Sequence, residues 1–110
     1  MQNIEDINIK KIYSWFGLAR RAGFLVSGDD TTIKEVKKKN LYLVILAEDA
    51  SDNTKKLFED KCSFRNIDCY HFGNKVEIGG AIGKSPRAVL GIKDKNMALQ
   101  IKKLLGALSD

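Results

Sequence analysis

The sequence predicts a three-layer α/β/α sandwich around a mostly parallel sheet of about four strands, and three observations carry that reading. Helical and extended patterns alternate along the 110 residues. The run LYLVILA, residues 41 to 47, is apolar throughout, too short for a buried helix and suited to a central strand covered on both faces. Hydrophobic and charged residues, 44% and 30%, are spread evenly with a single proline, as in one folded domain spanning 1–110 with a core at about 11–106.

The elements follow in order. INIKKIYSWFGLARRA, residues 7 to 22, puts Ile12, Phe16 and Ala19 on one helical face, ends in Arg20 and Arg21 near the negative pole, and stops at Gly23. FLV, residues 24 to 26, is a short strand. Gly28, Asp29 and Asp30 open a second helix to about Lys39, with Ile33 and Val36 inward and the acids at the positive end of its dipole. After the central strand, Ser51 caps a third helix with Leu57, Phe58, Cys62 and Phe64 inward, and Lys55–Glu59 and Lys56–Asp60 paired outward. DCYHF, residues 68 to 72, is a strand. Asn74 with Glu77 three later resembles a capping box for a helix to about Ile82. RAVLGI is the last strand, and Asp94 begins a final helix bearing Met97, Leu99, Ile101, Leu104 and Leu105.

Composition restricts the function classes. The first residues carry two acids and no long apolar run, so neither a signal peptide nor a membrane span is expected and the cytoplasm is the expected compartment. In that setting Cys62 and Cys69 are expected to be reduced, partly buried thiols. Nineteen basic against fourteen acidic residues favour a polyanionic partner.

Four stretches could carry chemistry. GGAIGKS, residues 79 to 85, has the GKS ending of a phosphate-binding loop, but Ile78 stands where that loop needs its first glycine, and a helix ends there instead of starting. A helix-terminating role explains Gly83 better. Cys69 and His71 alternate on one strand and could pair as thiol and base, yet there is no second histidine and no full zinc ligand set, so packing is the better reading. Glu48 and Asp49 follow the central strand, where open sheets often place functional groups, and both a polar turn and a binding edge remain open. Asp30, Lys34, Lys37 and Lys38, three or four apart, share a stripe that starts at a helix N-terminus. Amides there, with Lys34 one turn behind, can hold phosphate, and an aspartate can accept from base amino or imino groups. Capping acids followed by a solvated lysine face is the alternative.

VSGDDTTIKEVKKK (26 to 39), LYLVILAEDAS (41 to 51) and HFGNKVEIGGAIGKSPRAVLGI (71 to 92) together resemble the kink-turn RNA-binding ribosomal protein family of the L-seven-Ae type, and its small bacterial YlxQ-like branch most. The resemblance runs over residues 11 to 93 and implies the α/β/α sandwich with a mixed sheet, no enzymatic activity, no cofactor and no small-molecule substrate. It implies structured RNA of the kink-turn type as partner, with ribosomal RNA among the candidates. In that family a glycine-led helix start enters the major groove beside tandem sheared G·A pairs. Gly28, Asp29, Asp30, Thr31 and Lys34 match those positions, with Asp30 for the usual asparagine and Thr31 for the usual glutamate. An aspartate accepts from guanine N1 and N2 but cannot donate, so its partner should differ from an asparagine's. The family's second RNA-contacting segment corresponds to Lys84, Ser85, Pro86, Arg87 and Ala88, where Lys84 and Arg87 add charge beside a flipped-out nucleotide. The resemblance puts Glu48 at the same edge, and Lys37 and Lys38, on the same stripe as Lys34, are expected to add phosphate contacts. The alternatives are a protein–protein interaction module on the same fold, or a small enzyme using Cys69 and His71.

Overall fold

The computed structural model describes residues 3–108. Its elements are α1 (Ile4–Arg21), β1 (Leu25–Ser27), α2 (Asp29–Lys37), β2 (Leu43–Leu46), α3 (Asp52–Phe64), β3 (Asp68–His71), α4 (Lys75–Ala81), β4 (Val89–Ile92) and α5 (Lys95–Leu108). The expected caps are present. The side chains of Ser51 and Asn74 accept from the backbone N–H groups of Thr54 (3.1 Å) and Glu77 (2.9 Å), and Asp94 accepts from Met97 N–H at 2.9 Å. α1 begins earlier than its periodicity indicated, because Asn3 caps it through Asp6 N–H at 2.8 Å.

The sheet is mixed, as the resemblance implies, in the order β1-β4-β2-β3, and only the mostly parallel reading drawn from the alternation of elements is corrected. Among neighbouring strands only the β2–β3 pair is parallel, while β4 lies antiparallel to both β1 and β2. The reason lies in α4. Its seven residues rise only about 10 Å, and the chain then turns back along it, with Lys84 N–H donating to Gly79 O at 2.8 Å. β4 therefore starts from the end of the sheet at which β3 stopped.

β2 is covered on both faces, as its unbroken apolar run required. Leu43 and Ile45 join Ile12, Phe16, Ile78 and Ile101 in a cluster beneath α1, α4 and α5. Val44 and Leu46 join Val36, Phe58 and Cys62 beneath α2 and α3. Burying a Leu, Ile or Phe side chain stabilises by roughly 1.5–3 kcal/mol, so these two clusters hold the three layers together.

Other expectations are corrected. Leu57, Phe64 and Leu99 are exposed, Phe64 by 82%, and Ala98 takes the inward place expected of Leu99. Both helices turn slightly away from the face that counting apolar residues selects. Glu59 Oε1 bonds His71 Nε2 at 2.9 Å in place of the expected Lys55, and Lys56 and Asp60 form no ion pair among the described residues. α2 ends at Lys37, because Lys39 takes the left-handed conformation with φ 59° and Lys39 and Asn40 donate to Val36 O and Glu35 O. No helix among the described residues is long and apolar enough to cross a membrane.

Candidate nucleic-acid interface

Strand directions gather four chain segments along one edge of the sheet. β1, β2 and β3 all run towards it and β4 departs from it. In sheet order the edge carries the α2 tip after Ser27, the 84–88 loop before Val89, the turn after Leu46, and the turn after His71.

Gly28 is the pivot of the first segment. Its φ of 88° and ψ of 154° lie in a region that residues with a Cβ rarely enter, so the turn from β1 into α2 needs glycine. Its N–H donates to Val89 O at 3.1 Å, which ties the helix tip to the start of β4, and its carbonyl accepts from Thr32 N–H. As N-cap it offers no side-chain oxygen, so the amides of Asp29, Asp30 and Thr31 have no intrahelical acceptor. They sit at the positive end of the helix dipole. Asp29, Asp30 and Thr31 are exposed around them, while Thr32 is fully buried and roots the turn. Lys34 is exposed one turn behind. Lys37 and Lys38 are exposed too, but at the far end of α2, about 12 Å along its axis.

The 84–88 loop lies against this tip. Arg87 Nε donates to Ser27 Oγ at 3.3 Å, and Nη1 donates to Ser85 Oγ at 2.8 Å and to the Pro86 carbonyl at 3.3 Å. The Arg87 amide donates to Lys75 O at 3.0 Å, and the Ala88 carbonyl accepts from Ala47 N–H at 2.8 Å. Lys84, Ser85 and Pro86 are left exposed on the outside of a loop whose backbone is fixed at both ends.

The turn after β2 divides its two acids. Asp49 Oδ1 accepts from Lys75 N–H at 2.9 Å and so serves the start of α4. Glu48 N–H donates to Gly73 O at 2.8 Å, and its exposed side chain lines a groove with Tyr13, Phe72 and Glu77. Glu48 thus borders the row from the side away from α2. The structure brings Gly28, Asp29, Asp30, Thr31, Lys34 and 84–88 together, adjoins Glu48 to them, and sets Lys37 and Lys38 apart.

Ser27 and Gly79 went unrecognised in the sequence. Ser27 receives Arg87, and nothing in LVS announces it. A Cβ on Gly79 would run into the Ser85 carbonyl oxygen and lie 3.0 Å from Lys84 O, so glycine is what lets the loop close on α4. The only signal was a glycine pair inside a helix. Gly83, by contrast, ends α4 as expected, with φ 68° and its N–H donating to Gly80 O.

The thiols point away from catalysis. Both cysteines are free, and they hydrogen-bond to each other. That bond, followed by burial, pushes the Cys69 thiol far up, so it keeps its proton, and His71 is engaged by Glu59.

Residues 10–101 match the ribosomal protein L7Ae/L30e/S12e/Gadd45 family. The chain belongs to that family. Among curated L7Ae-type relatives, the RNA-binding protein YlxQ of Enterococcus faecium is 40% identical over 98 residues, spanning 89% of this chain and 94% of that protein. The RNA-binding protein YlxQ of Bacillus subtilis (strain 168) is 39% identical over 94 residues, 83% and 94% of the two chains. A solved structure from Bacillus halodurans C, described as a protein with unknown function, superposes with a TM-score of 0.84 at 38% identity, covering 87% of this chain and 97% of the other. The Giardia lamblia 15.5kD RNA binding protein superposes with a TM-score of 0.76 at 18% identity, over 99% and 91%, and shares the fold. In this sandwich the glycine-led tip and the loop before the last strand lie next to each other.

Proposed function

We propose that this protein is a non-enzymatic RNA-binding protein that recognises a kinked helix–internal loop–helix and stabilises the bent form by binding it in preference to the extended one. The observation that carries the reading is the joined surface at the sheet edge: the uncapped tip of α2 is bonded to β4 through Gly28 and Val89, and to the 84–88 loop through Ser27 and Arg87. A tip alone would hold one phosphate. A tip and a loop held side by side present two contacts at a fixed angle, which suits RNA that changes direction sharply.

Roles divide by chemistry. The amides of residues 29–31 and the ammonium of Lys34 hold backbone phosphate, and Lys84 adds charge from the loop. Asp30, accepting only, reads guanine N1 and N2 in sheared G·A pairs. Asp29 and Thr31 border the same groove. Pro86 and Ala88 form an apolar wall for an extruded nucleotide, with Ser85 and Glu48 at its margins and the Arg87 guanidinium beside it. Lys37 and Lys38 reach phosphates further along the same arm. The names of the YlxQ relatives support RNA as the partner, and ribosomal RNA is among the targets to be tried.

The deciding experiment is a binding titration of a kink-turn RNA against a straight duplex of equal length and composition at two salt concentrations. The expected result is preferential binding of the kinked RNA, with Lys34→Ala weakening every target and Asp30→Ala altering preference at the paired guanines. Equal affinity for the two RNAs would remove the bend-selective reading, and binding of neither would favour a protein-interaction module.

A further inference from the structure

Away from the α2 tip, a groove of about 440 Å³ opens between β3 and the α1–α5 pair. Its floor is apolar: Ile9 and Tyr13 from α1, Tyr70 and Phe72 from β3 and its extension, and Leu105 and Leu108 from α5. Its charged lining residues are Glu5, Glu48 and Glu77, with His71 at one side. Among the described residues no lysine or arginine lines it, although the chain carries nineteen. Tyr13 lies against Glu77 inside it. Its hydroxyl donates to Glu77 Oε2 at 2.9 Å, and burial, Glu77 and the nearby Glu48 charge all hold the phenol in its protonated form.

β3 is an edge strand, bonded to β2 alone. Residues 70–73 all border the groove, although alternate side chains of a strand point to opposite faces, so the groove follows the outer edge and end of β3. Such an edge accepts an extended segment.

From this we infer that the groove between β3, α1 and α5 is a docking site for a basic segment of a partner protein, with apolar side chains seated on the aromatic floor and arginine or lysine answering Glu5 and Glu77. Charge complementarity selects this occupant, because a negative groove on a positively charged chain repels RNA and attracts a polycation. Aromatic faces beside carboxylates also suit a guanidinium. The inference is independent of the RNA reading. Glu48 alone borders both surfaces and is left unaltered in the test.

The test is calorimetric titration of the full chain with a short synthetic peptide of alternating arginine and leucine. An arginine–serine peptide and a glutamate–leucine peptide are the controls. The expected result is one-to-one binding of the arginine–leucine peptide only, weakened by about tenfold in the Glu5→Gln/Glu77→Gln double variant, since an exposed ion pair contributes up to about fivefold. Thermal melting checks that the variant folds. If Glu77→Gln disturbs α1, the exposed Glu5→Gln carries the test alone, with a loss of up to about fivefold. Four outcomes would overturn the inference: equal binding of the arginine–serine peptide, no response to removing the carboxylates, displacement of the peptide by RNA, or carboxylate-dependent self-association without peptide, which would make a second copy the occupant.

Discussion

Arg87 and Ser27, sixty positions apart, meet through a hydrogen bond of 3.3 Å from Nε to Oγ, and that bond joins the end of one edge strand to the loop that enters a central one. The same guanidinium reaches Ser85 Oγ at 2.8 Å, so Arg87 is a brace before it is a charge offered to solvent.

Arg87→Lys should therefore not be a conservative change. A lysine keeps the positive charge but cannot span Ser27, Ser85 and the Pro86 carbonyl together. Stability should fall by about 0.5–1.5 kcal/mol for each hydrogen bond lost, measured by urea denaturation. Affinity for kinked RNA should drop in both Arg87→Lys and Arg87→Ala. The slope of log affinity against log salt should change, by about one, only in Arg87→Ala. A lysine variant with wild-type stability and affinity would show that the brace is unimportant.

Gly79 and Gly80 are neighbours in α4 with opposite expectations. At Gly79 an alanine methyl collides with the Ser85 backbone, whereas at Gly80 nothing lies within 4 Å. Gly79→Ala should cost about 1–3 kcal/mol and shift the 84–88 loop. Gly80→Ala should be neutral or stabilising by about 0.4–1 kcal/mol, since alanine narrows the unfolded ensemble. Thermal melts of the two variants side by side decide it, and RNA titration should show a loss for the first alone.

For Gly28→Ala the penalty is conformational. Space around the position is open, but φ 88° is not. The expected loss is about 1–3 kcal/mol of stability, with a further loss of RNA affinity as the tip reorients. Melting and binding measured on the same preparation separate the two.

Tyr13 governs behaviour in alkali. Burial first, and the bond to Glu77 second, raise its pKa above the ordinary 10.0, so the folded state favours the protonated phenol. The stability this contributes is present in full below pH about 10 and is lost as pH rises through the folded-state value. Wild type should lose stability from about pH 10 upward, more steeply than Tyr13→Phe. Parallel curves for the two proteins would contradict the assignment.

What the sequence disclosed and what it hid follow from distance along the chain. Ser51, Asn74, Asp94, Gly23 and Gly83 were readable because a cap or a left-handed stop is specified within a few residues. Lys39 and Asn66 stop their helices with φ 59° and 57°. In a row of three lysines the first of these leaves little mark, so α2 was expected to run on. The two-sided burial of LVIL was readable from its unbroken apolar run. The place of β4 was not, because strand order depends on α4 and the returning loop, and only packing shows that Ser85 rests on Gly79. Leu57, Phe64 and Leu99 misled for the opposite reason: hydrophobicity indicates a preference for burial, but a helix can turn only one stripe inward. At the site, the two segments that the resemblance marks are adjacent in the fold, while the members of the brace, Ser27 and Gly79, carry no chemical label of their own.

The insertion of β4 between β1 and β2 also has a consequence for how the protein is made. A chain emerging in sequence order can form the β2–α3–β3 unit early, but β1 has no sheet partner until residue 92 has been synthesised. Until then LVIL keeps one edge unpaired, open to association with other nascent chains. The Ser27–Arg87 brace cannot exist before residue 87 is made either, so no chain shorter than that presents the tip and the loop joined as in the finished protein.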